Sequence, residues 1–184
     1  ILCQLKQWTS LKHPSVLPFV GYQWQDEPIL IFPHFENGNI LHYLKVNPHA
    51  DRLKLLAQIA QGLSFLHSES IIHGSVKPSN VIISDEGSAM LMDFGMAPDL
   101  RVAERHITRA LLDQDLVGYM SPELVEDQVF TAASDVYSYG ALTLHVGGSN
   151  AGNRYVSDSR RLRIDHIRIP AVSQVLLRAY SERN

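Results

Sequence analysis

Carboxylates are missing from the start of this sequence: no Asp or Glu stands anywhere between Ile1 and Gln25. Cysteine is nearly missing throughout. Cys3 alone rules out an intrachain disulfide and fits a reducing compartment. Neither sign of charge is in large excess. The 16 Lys and Arg against 19 Asp and Glu leave a formal net charge of -3, which gives no reason to expect nucleic acid or an anionic membrane as partner. Long apolar runs are lacking too: the longest, near Tyr139 to Gly147, is too short and too broken to span a bilayer. No basic-then-apolar leader opens the sequence. The nine histidines and the lone cysteine show no metal-ligand spacing, which argues against a structural zinc site. These absences leave a soluble cytoplasmic domain as the expectation. Its 184 residues, 45% of them hydrophobic, suffice for one globular unit with a core.

What is present is concentrated in one stretch, His73-Gly-Ser-Val-Lys-Pro-Ser-Asn80, followed by Asp93-Phe-Gly95. Between them, Val81 to Met92 reads as two short apolar strands around a polar turn, Ser84 to Ser88. Such a hairpin places Asn80 and Asp93 at neighbouring strand ends. Both carry hard oxygens, which suit Mg²⁺ bearing phosphates. Lys77 adds a cation three residues before Asn80, within reach of the same phosphate group.

Here the sequence resembles a family. His73 to Asn80 resembles the catalytic loop of protein kinases, His-Arg-Asp-Leu-Lys-x-x-Asn, and Asp93-Phe94-Gly95 matches their magnesium motif. The tripeptide alone is weak, because Asp-Phe-Gly occurs by chance; two motifs in the right order with a hairpin between them are strong. The resemblance implies an α+β, protein-kinase-like fold. This would be mostly the α-helical large lobe (residues 36–184) with the C-helix and last strands of the small lobe and the hinge (residues 1–35) as one partial domain. It also implies ATP and Mg²⁺ as weakly bound cofactors, with Asn80 and Asp93 as the metal ligands. Phe32, Phe35, Lys77, Asn80, Ile82 and Asp93 are then the nucleotide-binding positions. A protein substrate or partner is implied, with no nucleic acid and no membrane.

The match has a hole in it. Ser75 stands where the family keeps its catalytic Asp, so the catalytic positions here are Ser75 and Lys77. Phosphoryl transfer needs a carboxylate that orients the acceptor hydroxyl and takes its proton. A serine has no accessible charge near neutral pH, and help of this kind is worth about 100- to 10,000-fold. Asp85, the nearest carboxylate in sequence, belongs to the far turn of the hairpin and is not expected to substitute.

The rest of the chain extends the resemblance. Ile1 to Leu11 has helical spacing that ends before His13-Pro14, and Leu11 to Gly21 looks like the kinase C-helix running into the fourth strand. Gln4 sits where the family has the C-helix Glu. No Gly-rich phosphate loop and no strand lysine of the Val-Ala-Ile-Lys type occur in these residues. Restoring Asp at position 75 is therefore not expected to restore activity in this chain. Pro28 to Phe35 reads as an apolar strand followed by the turn Glu36-Asn-Gly38 and resembles the fifth strand and hinge. By that match Phe32 is the gatekeeper, and the backbone of Phe35 meets the adenine edge.

Asn39 to Lys45 reads as a short helix. Ala50 to Ser68 reads as a long one, with an apolar stripe at 53, 56, 59, 60, 63 and 66 beneath the catalytic loop. His73 reads as a core histidine packed against Phe94. Tyr119-Met-Ser-Pro-Glu123 resembles the Ala-Pro-Glu end of the activation segment, in which Thr108 is an ordinary solvent-facing residue or a phosphosite. Thr131 to Val146 reads as a helix with Ser134 as N-cap and Asp135 favouring its N-terminus. In the family this Asp also holds the catalytic-loop backbone. Past Gly147 the match thins: Gly148 to Arg168 is polar, and Ala171 to Tyr180 regains helical spacing. Glu123 is expected to be buried and unpaired, because the family's Arg partner is not among these residues.

Three readings follow. The chain is part of a serine/threonine or tyrosine-kinase-like enzyme, a pseudokinase that binds protein partners, or a decaying copy. Ser75 and Gln4 weigh against the first, since truncation alone leaves Asp and Glu in place.

Overall fold

The computed structural model describes residues 8–25, 28–94, 117–127 and 129–148. Two antiparallel hairpins and four helices carry the fold among them. Strand β1 (Gly21–Trp24) pairs with β2 (Pro28–Ile31), with Gly21 opposite Ile31 and Trp24 opposite Pro28. The chain then leaves the strand earlier than expected: Phe32 to Phe35 is not part of it.

Helix α1 (Ile40–Val46) is capped by Asn39, whose side chain accepts the His42 N–H. Helix α2 (Arg52–Ser68) is capped by Asp51 through Lys54 N–H. Its buried face is Leu55, Leu56, Ile59, Gly62, Leu63 and Leu66. This corrects the expected stripe at one end. Leu53 is 80% exposed and Leu55 is buried, because a residue six positions before Ile59 falls well off the face that i, i+3 and i+4 neighbours share.

Strands β3 (Val81–Ile83) and β4 (Ala89–Leu91) form the expected hairpin, with Val81 opposite Leu91. Its turn is closed by Ser84 N–H to Ser88 O and Gly87 N–H to Ser84 O. Gly87 has φ +77°, a conformation that costs glycine nothing. On the other edge of β4, Val16 bridges Leu91 in parallel, through Leu91 N–H to Ser15 O (2.9 Å) and Leu17 N–H to Leu91 O (2.8 Å).

Helix α3 (Pro122–Asp127) is short, and α4 (Ala132–Gly147) runs against α2. The cap of α4 is Thr131, not Ser134. Thr131 Oγ1 accepts the Ser134 N–H while Ser134 Oγ accepts the Thr131 N–H, a reciprocal box that needs Ser134 three residues inside the cap. Hydrogen bonds tie α4 to α2 along its length: Tyr139 O–H donates to Leu56 O (3.0 Å), Arg52 Nη1 donates to Val146 O (2.6 Å), and His67 meets Asp135 near the start of α4.

One core joins these pieces. Leu55, Leu56, Ile59, Leu63 and Leu66 from α2 meet Val81, Ile83, Ala89 and Leu91 from the second hairpin and Tyr139, Leu142 and Val146 from α4. The loop from Ile71 to Asn80 lies between the end of α2 and the start of β3, which makes it the seam where the core elements converge. Gln4, Cys3, Thr108 and the stretch 149–184 lie outside the described residues.

Candidate nucleotide-phosphate site

The site begins with a buried carboxylate. Asp135, in the first turn of α4 and 1% exposed, accepts three hydrogen bonds: His73 N–H (2.8 Å), Gly74 N–H (2.8 Å) and His67 Nε2 (2.8 Å). A carboxylate out of water needs such donors. In satisfying it, the loop backbone is fixed to α4 and to the last turn of α2. Gly74 has φ +77°, a value a side chain resists, so the glycine suits the turn into Ser75.

The loop side chains then point in two directions. His73 turns inward, 1% exposed, and its ring meets Phe94 edge-on at 6.3 Å, as its expected core role requires. Its Nδ1 accepts the Ser75 N–H (3.2 Å), while Nε2 has no partner among the described residues. Burial lowers the His73 pKa despite the nearby negative charges of Asp135 and Asp93. Val76 and Pro78 are buried as well, and they hold the loop down on the core.

Ser75 and Asn80 turn toward each other. Asn80 Nδ2 donates to Ser75 O (2.9 Å) and sits 3.0 Å from Ser75 Oγ. This spends the amide's donor end on the loop. Asn80 O accepts the Met92 N–H (3.0 Å), so the chain position before Asp93 is clamped beside Asn80 across the hairpin. Asp93 itself is exposed and has φ +61°. For a non-glycine residue that backbone costs on the order of 1 kcal/mol, tolerated best by Asn and Asp. The amide oxygen of Asn80 and the carboxylate of Asp93 are a donor set that fits Mg²⁺, and Lys77 supplies a cation on the same loop.

A column of rings leads from this loop to the first hairpin. His73 meets Phe94, Phe94 meets Trp8 (6.0 Å), Trp8 meets Phe19 (5.9 Å), and Phe19 meets Phe32 (5.6 Å), all at steep interplanar angles. Such edge contacts suit the aromatic quadrupole. Phe32 and His73, which sequence reading treated separately, are thus the two ends of one packed line. Trp8 and Phe19 carry no chemistry-bearing group, so nothing in the sequence alone singled them out.

The other expected positions fall nearby. Ile82 is half-buried on β3 and bridges Asn39, while Ile83 N–H donates to Gly38 O (2.9 Å), which brings the loop after Phe35 against the hairpin. Asp85 accepts the Glu36 N–H (3.2 Å) at the far turn. It is occupied there and remote from Ser75 in the hairpin.

At the end of the activation segment, Ser121 is fully buried and its Oγ accepts the Leu124 N–H (3.3 Å), so the serine in place of Ala adds a cap to α3. Tyr119 is held twice: its carbonyl accepts Ser138 Oγ (2.6 Å), and its hydroxyl bonds His145 Nδ1 (2.5 Å). Glu123 is half-buried, not buried as expected. Burial raises the Tyr137 pKa, and the Glu123 charge adds to that rise.

Loop, hairpin, magnesium motif and anchoring helix define a protein kinase domain, and comparison with known families agrees. Residues 1–155 match the family model described as protein tyrosine and serine/threonine kinase. The chain belongs to that family. Among its relatives are the salt tolerance receptor-like cytoplasmic kinase 1 of Oryza sativa subsp. japonica, 34% identical over 78% of this chain and 44% of that protein. The EPD1-interacting receptor-like cytoplasmic serine/threonine-protein kinase of Nicotiana benthamiana is 31% identical over 74% of this chain and 31% of its own length. The L-type lectin-domain containing receptor kinase S.7 of Oryza sativa subsp. japonica is 36% identical over 79% of this chain and 22% of its own length. The chain therefore spans less than half of each of these relatives. The fold is that of a partial protein kinase domain, α+β in class. No described helix is long and apolar enough to cross a membrane.

Proposed function

We propose that this chain is a kinase-fold module that binds a nucleotide at its phosphate end and does not transfer the phosphoryl group. The observation that carries the reading is the pairing of Ser75 with Asn80, in which a hydroxyl stands where the reaction needs a base. Magnesium, when bound with ATP, would neutralise phosphate charge. Asn80 and Asp93 would offer it oxygens, and Lys77 would hold a phosphate oxygen. Phe32 and Ile82 would bracket the adenine, and the backbone of Phe35 would meet its edge. Ser75 can orient an acceptor hydroxyl by hydrogen bonding, but it cannot take its proton. A regulatory role follows, with a protein partner bound through the helical large lobe, in the cytoplasm.

A second reading, part of an active serine/threonine kinase, draws on the same relatives and on Lys77-Pro78-Ser79-Asn80. Ser75 weighs against it.

The test is a melting curve of the chain with and without Mg-ATP, beside a phosphate-transfer assay. A rise in melting temperature that Asp93→Asn abolishes, with no transfer, is the expected result. Transfer that depends on Asp93 sinks the proposal. A cooperative melt with no shift removes the nucleotide and leaves a partner-binding scaffold.

A further inference from the structure

Resting on the nucleotide reading above, we propose that Ser75 makes this site tolerant of a nucleoside triphosphate without a divalent cation. The chain would then take up the free polyphosphate as well as its magnesium complex. The argument is one of charge and of proton direction at four side chains. Lys77 is the cation, Asp93 the anion, and Ser75 and Asn80 are neutral, so loop and magnesium motif together carry no net charge. An Asp at position 75 would leave two carboxylates against one cation. A triphosphate stripped of metal would then meet repulsion that only the missing cation relieves.

The hydroxyl does more than remove that repulsion. Ser75 Oγ lies 3.0 Å from Asn80 Nδ2, where it accepts, so its own proton is not consumed by that bond. It remains to be given to a phosphate oxygen, a donation no carboxylate makes when ionised. The hydroxyl is also held in place. The Ser75 N–H donates to His73 Nδ1 (3.2 Å), and the two preceding backbone N–H groups are fixed on buried Asp135 (2.8 Å each). Ser75 is half-buried, so a donor there reaches the site without being lost to bulk water.

Isothermal titration of ATP into the chain, once in Mg²⁺ and once in EDTA, tests this with wild type, Ser75→Asp and Ser75→Asn. Wild type is expected to bind in EDTA within about tenfold of its affinity in Mg²⁺, and Ser75→Asp to weaken binding in EDTA by about tenfold more than in Mg²⁺. Ser75→Asn, neutral and of similar size to Asp, is expected to keep the wild-type ratio within about threefold. Wild-type binding in Mg²⁺ alone overturns the inference while the nucleotide reading stands, and this comparison needs no variant to fold. Equal weakening in both buffers by Ser75→Asp, or an Asn variant that behaves like Asp, overturns it too. No binding by wild type in either buffer sinks the nucleotide reading and this inference with it.

Discussion

His73 shows how one side chain can mean two things. By sequence it opens a catalytic motif; in the fold it is a core ring whose buried Nε2 has no partner among the described residues. Its pH behaviour follows. Burial lowers its folded pKa below the ordinary 6.5, so the unfolded chain binds the proton more readily than the folded one. Stability from this group is complete above about 6.5 and is lost as pH falls below it. A melt series from pH 7.5 to pH 5.5 should therefore show a falling melting temperature, and His73→Phe should flatten that slope. An unchanged slope in the variant would show that other groups carry the acid sensitivity. The role of His73 was legible, because His-x-x-x-Lys-x-x-Asn fixes its neighbours. The partnership of Asp135 with His67 was not, since 68 residues separate them and nothing local to either announces the other.

Among the elements, the close crossing of α2 beneath the Ser15–Leu17 segment is the tightest fit. A Cβ built on Gly62 would stand 2.4 Å from Ser15 O and 3.2 Å from Leu91 Cδ1. In an exposed helix Gly→Ala stabilises by about 1 kcal/mol. Here the sign reverses, because the obstacle is a backbone carbonyl held by Leu91 N–H in the bridge to β4. Gly62→Ala is expected to cost about 2 kcal/mol in urea unfolding, with a larger loss for Gly62→Val. Stabilisation by the alanine would refute the crossing. Helix existence was readable from the apolar stripe, while its ends and its exact face were not. Asn39, Asp51 and Thr131 each cap one residue before the helix proper, and caps are decided by which side chain reaches which N–H.

Over the whole chain, the apolar material is unevenly used. Helices α2 and α4 and the second hairpin share one core, whereas the first hairpin exposes Tyr22, Trp24, Ile29 and Ile31, each more than 40%. A two-stranded ribbon with apolar groups left in water is marginal by itself. Amide exchange is expected to be slowest in α2 and α4 and faster by at least about tenfold in β1 and β2. Equal protection would mean that the ribbon belongs to the same cooperative unit as the core. The match covers 44%, 31% and 22% of the length of the three relatives named above, so the activity of a whole protein of that kind is not carried over to this chain.

The order of motifs determined the family, and the hairpin between Asn80 and Asp93 was readable because apolar triplets flank a polar turn. Residue type alone also determined that position 75 carries no base. Tertiary structure decided the rest: that Asn80 turns its amide onto Ser75, that His67 joins the loop backbone on Asp135, and that five rings line up from Phe32 to His73. Those contacts join residues far apart in the chain. Their geometry comes from how the helices and hairpins pack, which local periodicity does not encode.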